Sequence, residues 1–164
     1  NTIKMMLRDG LLLFPLFGVV LLDQSTKQFI KSTFELYEAW PSDGFFRILY
    51  TTNTGIAFGL FPGQTMILAV MAVIAICFLL YFYRSHAFAY PVLRLAIGLE
   101  LGGALGNLID RFRSGAVVDF IDIGPWPTFN VADSAIVIGI VIICVKVLLT
   151  GAGNTEKVDV REGS

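Results

Sequence analysis

QTMILAVMAVIAICFLLYFY, residues 64–83, carries no charge, and the uncharged stretch reaches back to residue 48. A bilayer core of about 30 Å is crossed by roughly 20 apolar helical residues, so this segment predicts a transmembrane helix. Three more apolar segments flank it. Residues 10–22 are too few to span alone and need residues 5–7 and the stretch up to 30 to extend them. Residues 91–109 are interrupted by Arg94 and Glu100, and residues 134–150 end near Lys146, whose stem can snorkel to the interface. The expected spans are about 8–30, 64–83, 91–110 and 134–150 in a single membrane domain, 1–164. The fold class is a membrane all-α core of four transmembrane helices, with a small extracytoplasmic β-sheet and an interfacial helix drawn from residues 31–63.

Composition agrees with that class. Only 15% of the 164 residues are charged, against roughly 25% in soluble domains, and the mean hydropathy is +0.74. A net charge of −1 gives no basic surface for nucleic acid. Cys77 and Cys144 lie inside apolar runs, where free cysteine behaves as a small hydrophobe. His86, the single histidine, sits in a polar Arg-Ser-His stretch and reads as a solvated loop residue. With no second histidine, a Ser-His-Asp triad and an HExxH zinc site lose their support.

The N-terminal segment has the basic start (Lys4, Arg8) and apolar run of a signal peptide, but no small-x-small site follows, so an uncleaved first span is expected. Four spans put both termini on one side. That side carries seven Lys and Arg (Lys4, Arg8, Arg84, Arg94, Lys146, Lys157, Arg161), the other five. The positive-inside rule then places the termini in the cytoplasm and the polar motifs at the opposite face.

Between the first two spans, residues 28–40 mix apolar and charged side chains, and Tyr37 and Trp40 suit a headgroup-level helix. Residues 45–60 are rich in aromatic, β-branched and Thr residues and predict a small antiparallel sheet or hairpin, punctuated by Asn53-Thr54-Gly55. Trp126, between two prolines, marks a second interfacial loop. Residues 151–164 read as a frayed polar tail.

The chemistry-bearing candidates are polar residues at span ends. Asp23 and Lys27, four apart, share a helix face: an exposed ion pair worth little, or an ordered pair at the mouth of a site. Asn53 opens an Asn-x-Gly turn, or aims its amide at a substrate backbone. Gly98, Gly102 and Gly106 form a small-residue stripe for close helix approach, by another span or by a substrate helix. Gly103, Asn107 and Asp110 share one face with Arg111 beside them; a cluster that only pins the helix end is the plainer account. Asp119 lies in a strand-like stretch with Asp122 three residues on, hence on the opposite face and expected to be solvated. Asp133 follows Asn130 by three and opens the last span, where capping is the common role of both residue types. Two carboxylates that converge at a membrane boundary cannot both ionise comfortably, and an acid beside a carboxylate can activate water and protonate a leaving group.

Five segments, taken together and in order, resemble the bacterial lipoprotein signal peptidase (signal peptidase II) family. They are Asp23-Gln24-Ser25-Thr26-Lys27, Asn53-Thr54-Gly55-Ile56-Ala57-Phe58, the run from Gly102 to Arg111, Val117-Val118-Asp119-Phe120, and Phe129-Asn130-Val131-Ala132-Asp133-Ser134. Ile56, where the family favours small residues, is a mild departure. The resemblance implies an aspartic endopeptidase of the bacterial cytoplasmic membrane that cuts diacylglyceryl-modified prolipoproteins just before the lipidated cysteine. It makes Asp119 and Asp133 the catalytic pair. Asn53, Gly103, Asn107, Arg111 and Asn130 become site-shaping residues, and Asp23, Lys27 and Asp110 supports. It implies no metal or cofactor, and inhibition by the cyclic peptide globomycin. Apart from the resemblance, membrane lipid is the expected surroundings and a monomer the expected state. The alternative class is a small proton-coupled transporter using the same carboxylates. Its expected repeat symmetry is missing, and the acids sit at segment ends.

Overall fold

Pro91 opens the helix on which the rest of the molecule is built. In the computed structural model, which describes residues 2–55, 64–85 and 90–162, this helix runs Pro91–Ser114. Proline suits a first helical position because its missing N–H would have no partner there. Gly115 ends the helix in the left-handed region (φ 72°), and its N–H returns to the Arg111 carbonyl. In chain order the helices are α1 (Thr2–Thr33), α2 (Thr65–Ser85), α3 (Pro91–Ser114) and α4 (Val131–Glu162). All four contain a stretch long and apolar enough to cross a membrane. In α3 that stretch is 61% buried inside the protein, in the others 6–17%, so α3 is the central post. It packs on α1, α2 and α4.

Glycine makes that packing possible. Lipid tails are as apolar as the helix faces, so association depends on close backbone approach. A Cβ on Gly102 would stand 2.7 Å from the Leu16 carbonyl oxygen of α1, and one on Gly98 would run into Leu12 and Pro15. Gly103, on another side of α3, lies against the Ala132 carbonyl and Ile136 of α4, and Gly139 of α4 lies against Ala96 and Glu100 in return. The small-residue stripe is thus filled by the protein's own helices, which removes the reading that it receives a substrate helix. Outward, Phe14, Phe17 and Leu21 of α1, Met66, Ile67 and Phe78 of α2, and Val137, Val141 and Leu148 of α4 are exposed. Such faces need lipid rather than water around them. Cys77 and Cys144 are free and exposed among them.

The sheet differs from the expected local hairpin. β1 (Ala39–Trp40), β2 (Phe46–Asn53) and β3 (Val117–Ile123) pair antiparallel in that order. β2 therefore finds its main partner not within residues 45–60 but in the strand after α3, with Arg47 opposite Asp122 and Thr51 opposite Asp119. The physical reason is the apolar character of β3: Val118 and Phe120 bury themselves with Ile30 of α1, and Ile48 and Tyr50 of β2 cover that cluster. A register shift between Ile48 and Thr51 kinks β2 on its way to Asn53. The interfacial helix expected from residues 28–40 is not a separate element. Residues up to Thr33 continue α1, and turns lead from there into β1. Tyr37, Trp40 and Trp126 are exposed beside the sheet. His86 and the Ile56-Ala57-Phe58 part of the second motif fall outside the described residues.

Candidate active site

Five elements deliver polar side chains to one end of the bundle, away from the chain termini. The late turns of α1 bring Asp23, Gln24 and Lys27. The last turns of α3 bring Asn107, Asp110 and Arg111. β2 and β3 bring Asn53 and Asp119, and the start of α4 brings Asn130 and Asp133. Every site residue picked from the sequence except Gly103 is a polar member of this cluster, and Gly103 is the contact that lets α4 approach α3.

Asp119 is 3% exposed. Its Oδ1 accepts from Asn130 Nδ2 at 2.7 Å and its Oδ2 from Asn53 Nδ2 at 3.2 Å. Asn53 is itself fixed, because its Oδ1 accepts the Gly55 N–H at 2.8 Å. The turn reading of Asn-x-Gly therefore holds, and the same turn aims the amide at Asp119. Burial pushes the Asp119 carboxyl up to about 7, with the nearby Asp133 charge adding to the rise; the Asn53 and Asn130 hydrogen bonds and the Lys27 charge oppose it.

Asp133 sits in the first turn of α4. Its backbone N–H donates to Asn130 Oδ1 at 2.9 Å, and its Oδ2 accepts the Asn130 N–H at 3.3 Å. This is a reciprocal capping box with Asn130 as the N-cap. Its Oδ1 accepts from Asn107 Nδ2 at 2.7 Å. Arg111 lies within electrostatic reach of Asp133, Asp119 and Asp110, and its Nη1 is 3.5 Å from the Asn107 carbonyl.

Beneath the pair lies a buried ionic knot. Lys27 is 2% exposed. Its Nζ reaches Asp23 Oδ2 at 2.8 Å, Asp110 Oδ2 at 3.0 Å and Asn107 Oδ1 at 3.0 Å. The reading of Asp23 and Lys27 as a weak exposed pair is therefore overturned: both are buried, where an ion pair persists only if fully hydrogen-bonded. Asp23 Oδ1 also accepts the Ala132 N–H at 3.0 Å, satisfying an orphan donor at the start of α4. Asp110 Oδ2 accepts the Val118 N–H at 3.1 Å and so ties β3 to α3.

Two placements were not legible from the motifs. Gln24 Nε2 lies 3.1 Å from Asp23 Oδ2, 3.2 Å from the Gly106 carbonyl and 3.1 Å from Asp110 Oδ1, welding α1 to α3. Its spacing of three from Lys27 was the available signal. Asp122 is not solvated as expected. It is 7% exposed and binds Arg47, with Nη2–Oδ2 at 2.6 Å and Nε–Oδ2 at 2.7 Å. It does have partners separate from those of Asp119, as its odd spacing along the strand requires.

The family model described as signal peptidase (SPase) II matches residues 16–149. A lipoprotein signal peptidase of Moorella thermoacetica is 46% identical over 132 residues, 80% of this chain and 88% of that protein. One from Syntrophomonas wolfei is 44% identical over 135 residues, 81% and 89% of the two chains. A bacterial membrane enzyme solved in meso at 2.3 Å superposes with a TM-score of 0.80 at 34% identity, covering 85% of this chain and 88% of that one.

Proposed function

The chain belongs to the signal peptidase II family, and from that premise we propose that Asp119 and Asp133 are its catalytic dyad. Membership makes the protein a lipoprotein signal peptidase: an aspartic peptidase, hence a hydrolase, that removes signal peptides from lipoprotein precursors. It also decides against the proton-coupled transporter.

The observation that carries the dyad is that one residue, Asn130, holds both carboxylates, with Asp119 raised to about 7 beside Asp133. Near neutral pH such a pair keeps one proton. The deprotonated member takes a proton from water as the oxygen attacks the scissile carbonyl. The protonated member gives its proton to the developing oxyanion. The tetrahedral intermediate collapses when a proton passes to the leaving nitrogen. Asn53, Asn107 and Asn130 hold the carboxylates, Arg111 supplies positive charge beside them, Gly103 lets α4 approach, and Asp23, Lys27 and Asp110 brace the floor.

The finer reading is a single polytopic membrane domain in the bacterial cytoplasmic membrane, acting as a monomer among lipid. Both termini are cytoplasmic, and the site lies near the extracytoplasmic face. The charge bias of the loops and the grouping of the polar cluster at the bundle end opposite the termini support that orientation. The substrate is a diacylglyceryl-modified prolipoprotein, cut before its lipidated cysteine, and globomycin competes for the same site. The testing experiment is cleavage of a lipidated prolipoprotein in detergent, wild type beside Asp119→Asn, with and without globomycin. Full turnover by the folded variant would remove the dyad.

A further inference from the structure

Three asparagine amides surround the two aspartates, and an amide can present either its oxygen or its NH₂ group. Which end faces the carboxylate follows from what holds the other end. Asn53 is oriented by a backbone donor, the Gly55 N–H on its Oδ1. Asn130 is oriented by another, the Asp133 N–H on its Oδ1. Asn107 has no such backbone anchor on its Oδ1 among the described contacts. That oxygen receives Lys27 Nζ at 3.0 Å and Asn130 Nδ2 at 3.2 Å, and Asn107 Nδ2 is thereby left facing Asp133 Oδ1 at 2.7 Å.

An ammonium group can only donate. The three donors of Lys27 are taken by Asp23, Asp110 and Asn107. The two aspartates more than offset its single charge, while the third contact carries orientation. We propose that Lys27 is a positioning residue for the dyad: its ammonium locks the Asn107 amide so that an N–H donor, and not an oxygen, faces Asp133 and holds it as a carboxylate. This rests on the dyad reading above and goes beyond it by saying what orients one of the donors that hold the pair.

The surroundings of Lys27 agree. It faces Asp23 of α1, Asn107 and Asp110 of α3, and the Asp119 and Asp133 carboxylates of β3 and α4. Asp133 Oδ2 takes the backbone N–H of Asn130 and its Oδ1 the Asn107 amide. Two N–H donors suit an anion, as do the two that Asp119 accepts from Asn53 and Asn130; of these four donors, the Asn107 amide is the one that a lysine orients. With the lysine gone, the Asn107 oxygen keeps only Asn130 Nδ2, a group that also serves Val118 and Asp119, so the amide loses its firmer anchor and can turn its oxygen to Asp133, which suits a protonated Asp133.

The test is the pH dependence of turnover on a lipidated prolipoprotein for wild type, Lys27→Met, Asn107→Ala and the double variant. The expected result for Lys27→Met is a kcat loss of about 10- to 100-fold, with KM changed less than about twofold. The acid limb moves up by about one pH unit, toward protonation of the base. Asn107→Ala moves the same limb, and the double variant is no worse than the worse single one, because Lys27 acts through Asn107. Additive losses, or an acid limb that stays in place, would overturn the assignment. Should Lys27→Met not fold, Asn107→Ala alone decides, since it removes the oriented donor and leaves the ammonium. Asp119→Asn and Asp133→Asn run alongside. If either stays active, the dyad itself fails; if both are dead while the acid limb ignores Asn107, only the role of Lys27 fails.

Discussion

Asn130 and Asp133 hold each other: the Asn130 amide oxygen accepts the Asp133 N–H at 2.9 Å, and the Asp133 carboxylate accepts the Asn130 N–H at 3.3 Å. Capping and catalysis are therefore not competing accounts of Asp133. The capping box fixes the carboxylate rotamer at a helix N-terminus, where negative charge is favoured, and the free side of Asn130 reaches across to Asp119. The site is assembled from ordinary helix-end chemistry placed beside a strand.

The dyad predicts that Asp119→Asn and Asp133→Asn each lower kcat by at least about 10²- to 10⁴-fold, since neither asparagine can exchange a proton. Both variants should fold. Each leaves one amide donor facing an NH₂ group, at a cost of roughly 1–3 kcal/mol. Turnover of a lipidated prolipoprotein and thermal unfolding in detergent check the two halves of this statement. Near-normal turnover by either folded variant would move the dyad elsewhere.

Asp122→Asn makes the contrasting case. Its carboxylate belongs to Arg47, so most activity should remain while stability falls by about 1 kcal/mol or less, because Arg47 is one-third exposed and water screens the pair. A folded but inactive Asp122→Asn would mean that the wrong two aspartates of β3 and α4 had been paired.

Activity should survive dialysis against EDTA. The oxygens of Asp119 and Asp133 face N–H donors of Asn53, Asn107 and Asn130, and Asp122 is held by Arg47. A divalent cation would have to displace these donors and sit beside the positive charges of Lys27 and Arg111. Activity lost to EDTA and restored by one divalent ion would show that these donors give way.

The helices were legible because long uncharged runs leave little else for a chain to do. The aspartate pair was legible because Asp119 and Asp133 lie in short polar motifs at the ends of apolar segments. What stayed hidden was long-range pairing. Nothing local to residues 46–53 says that their partner is residues 117–123, since a strand's pattern names its face and not its neighbour. Residues 28–40 looked interfacial because they mix apolar and charged side chains, yet α1 simply continues to Thr33, anchored one turn earlier by the buried Lys27. The glycine stripe announced close approach but not which helix would approach.

Two glycines separate packing from propensity. Gly103→Ala forces a methyl group against the Ala132 carbonyl and Ile136, one residue from Asp133. It should cost about 1–3 kcal/mol of stability and lower turnover as well, because α4 and its aspartate must shift. Gly18→Ala meets nothing within 4 Å and should be neutral or stabilising by up to about 1 kcal/mol. Thermal unfolding and turnover measured on both variants check the pair; equal effects would deny that α3 and α4 touch through Gly103.

The raised Asp119 carboxyl ties stability and rate to the same pH window. Its value in the fold is about 7, and in the unfolded chain it returns to about 4. Below about 4 the group is protonated in both states and its burial is harmless. Between about 4 and 7 the folded protein holds a proton that the unfolded chain has released, so this group's contribution to stability falls as pH rises, and above 7 it is flat. The amide introduced by Asp119→Asn does not titrate. The Tm of Asp119→Asn minus that of wild type should therefore grow from pH 4 to 7 and then level off. Turnover of the wild type should follow a bell whose alkaline limb lies at about 7, where the shared proton leaves, and whose acid limb marks protonation of both aspartates. A Tm difference that stays constant across that window, with wild-type turnover undiminished well above pH 7, would show that Asp119 is ionised in the fold and that the pair shares no proton.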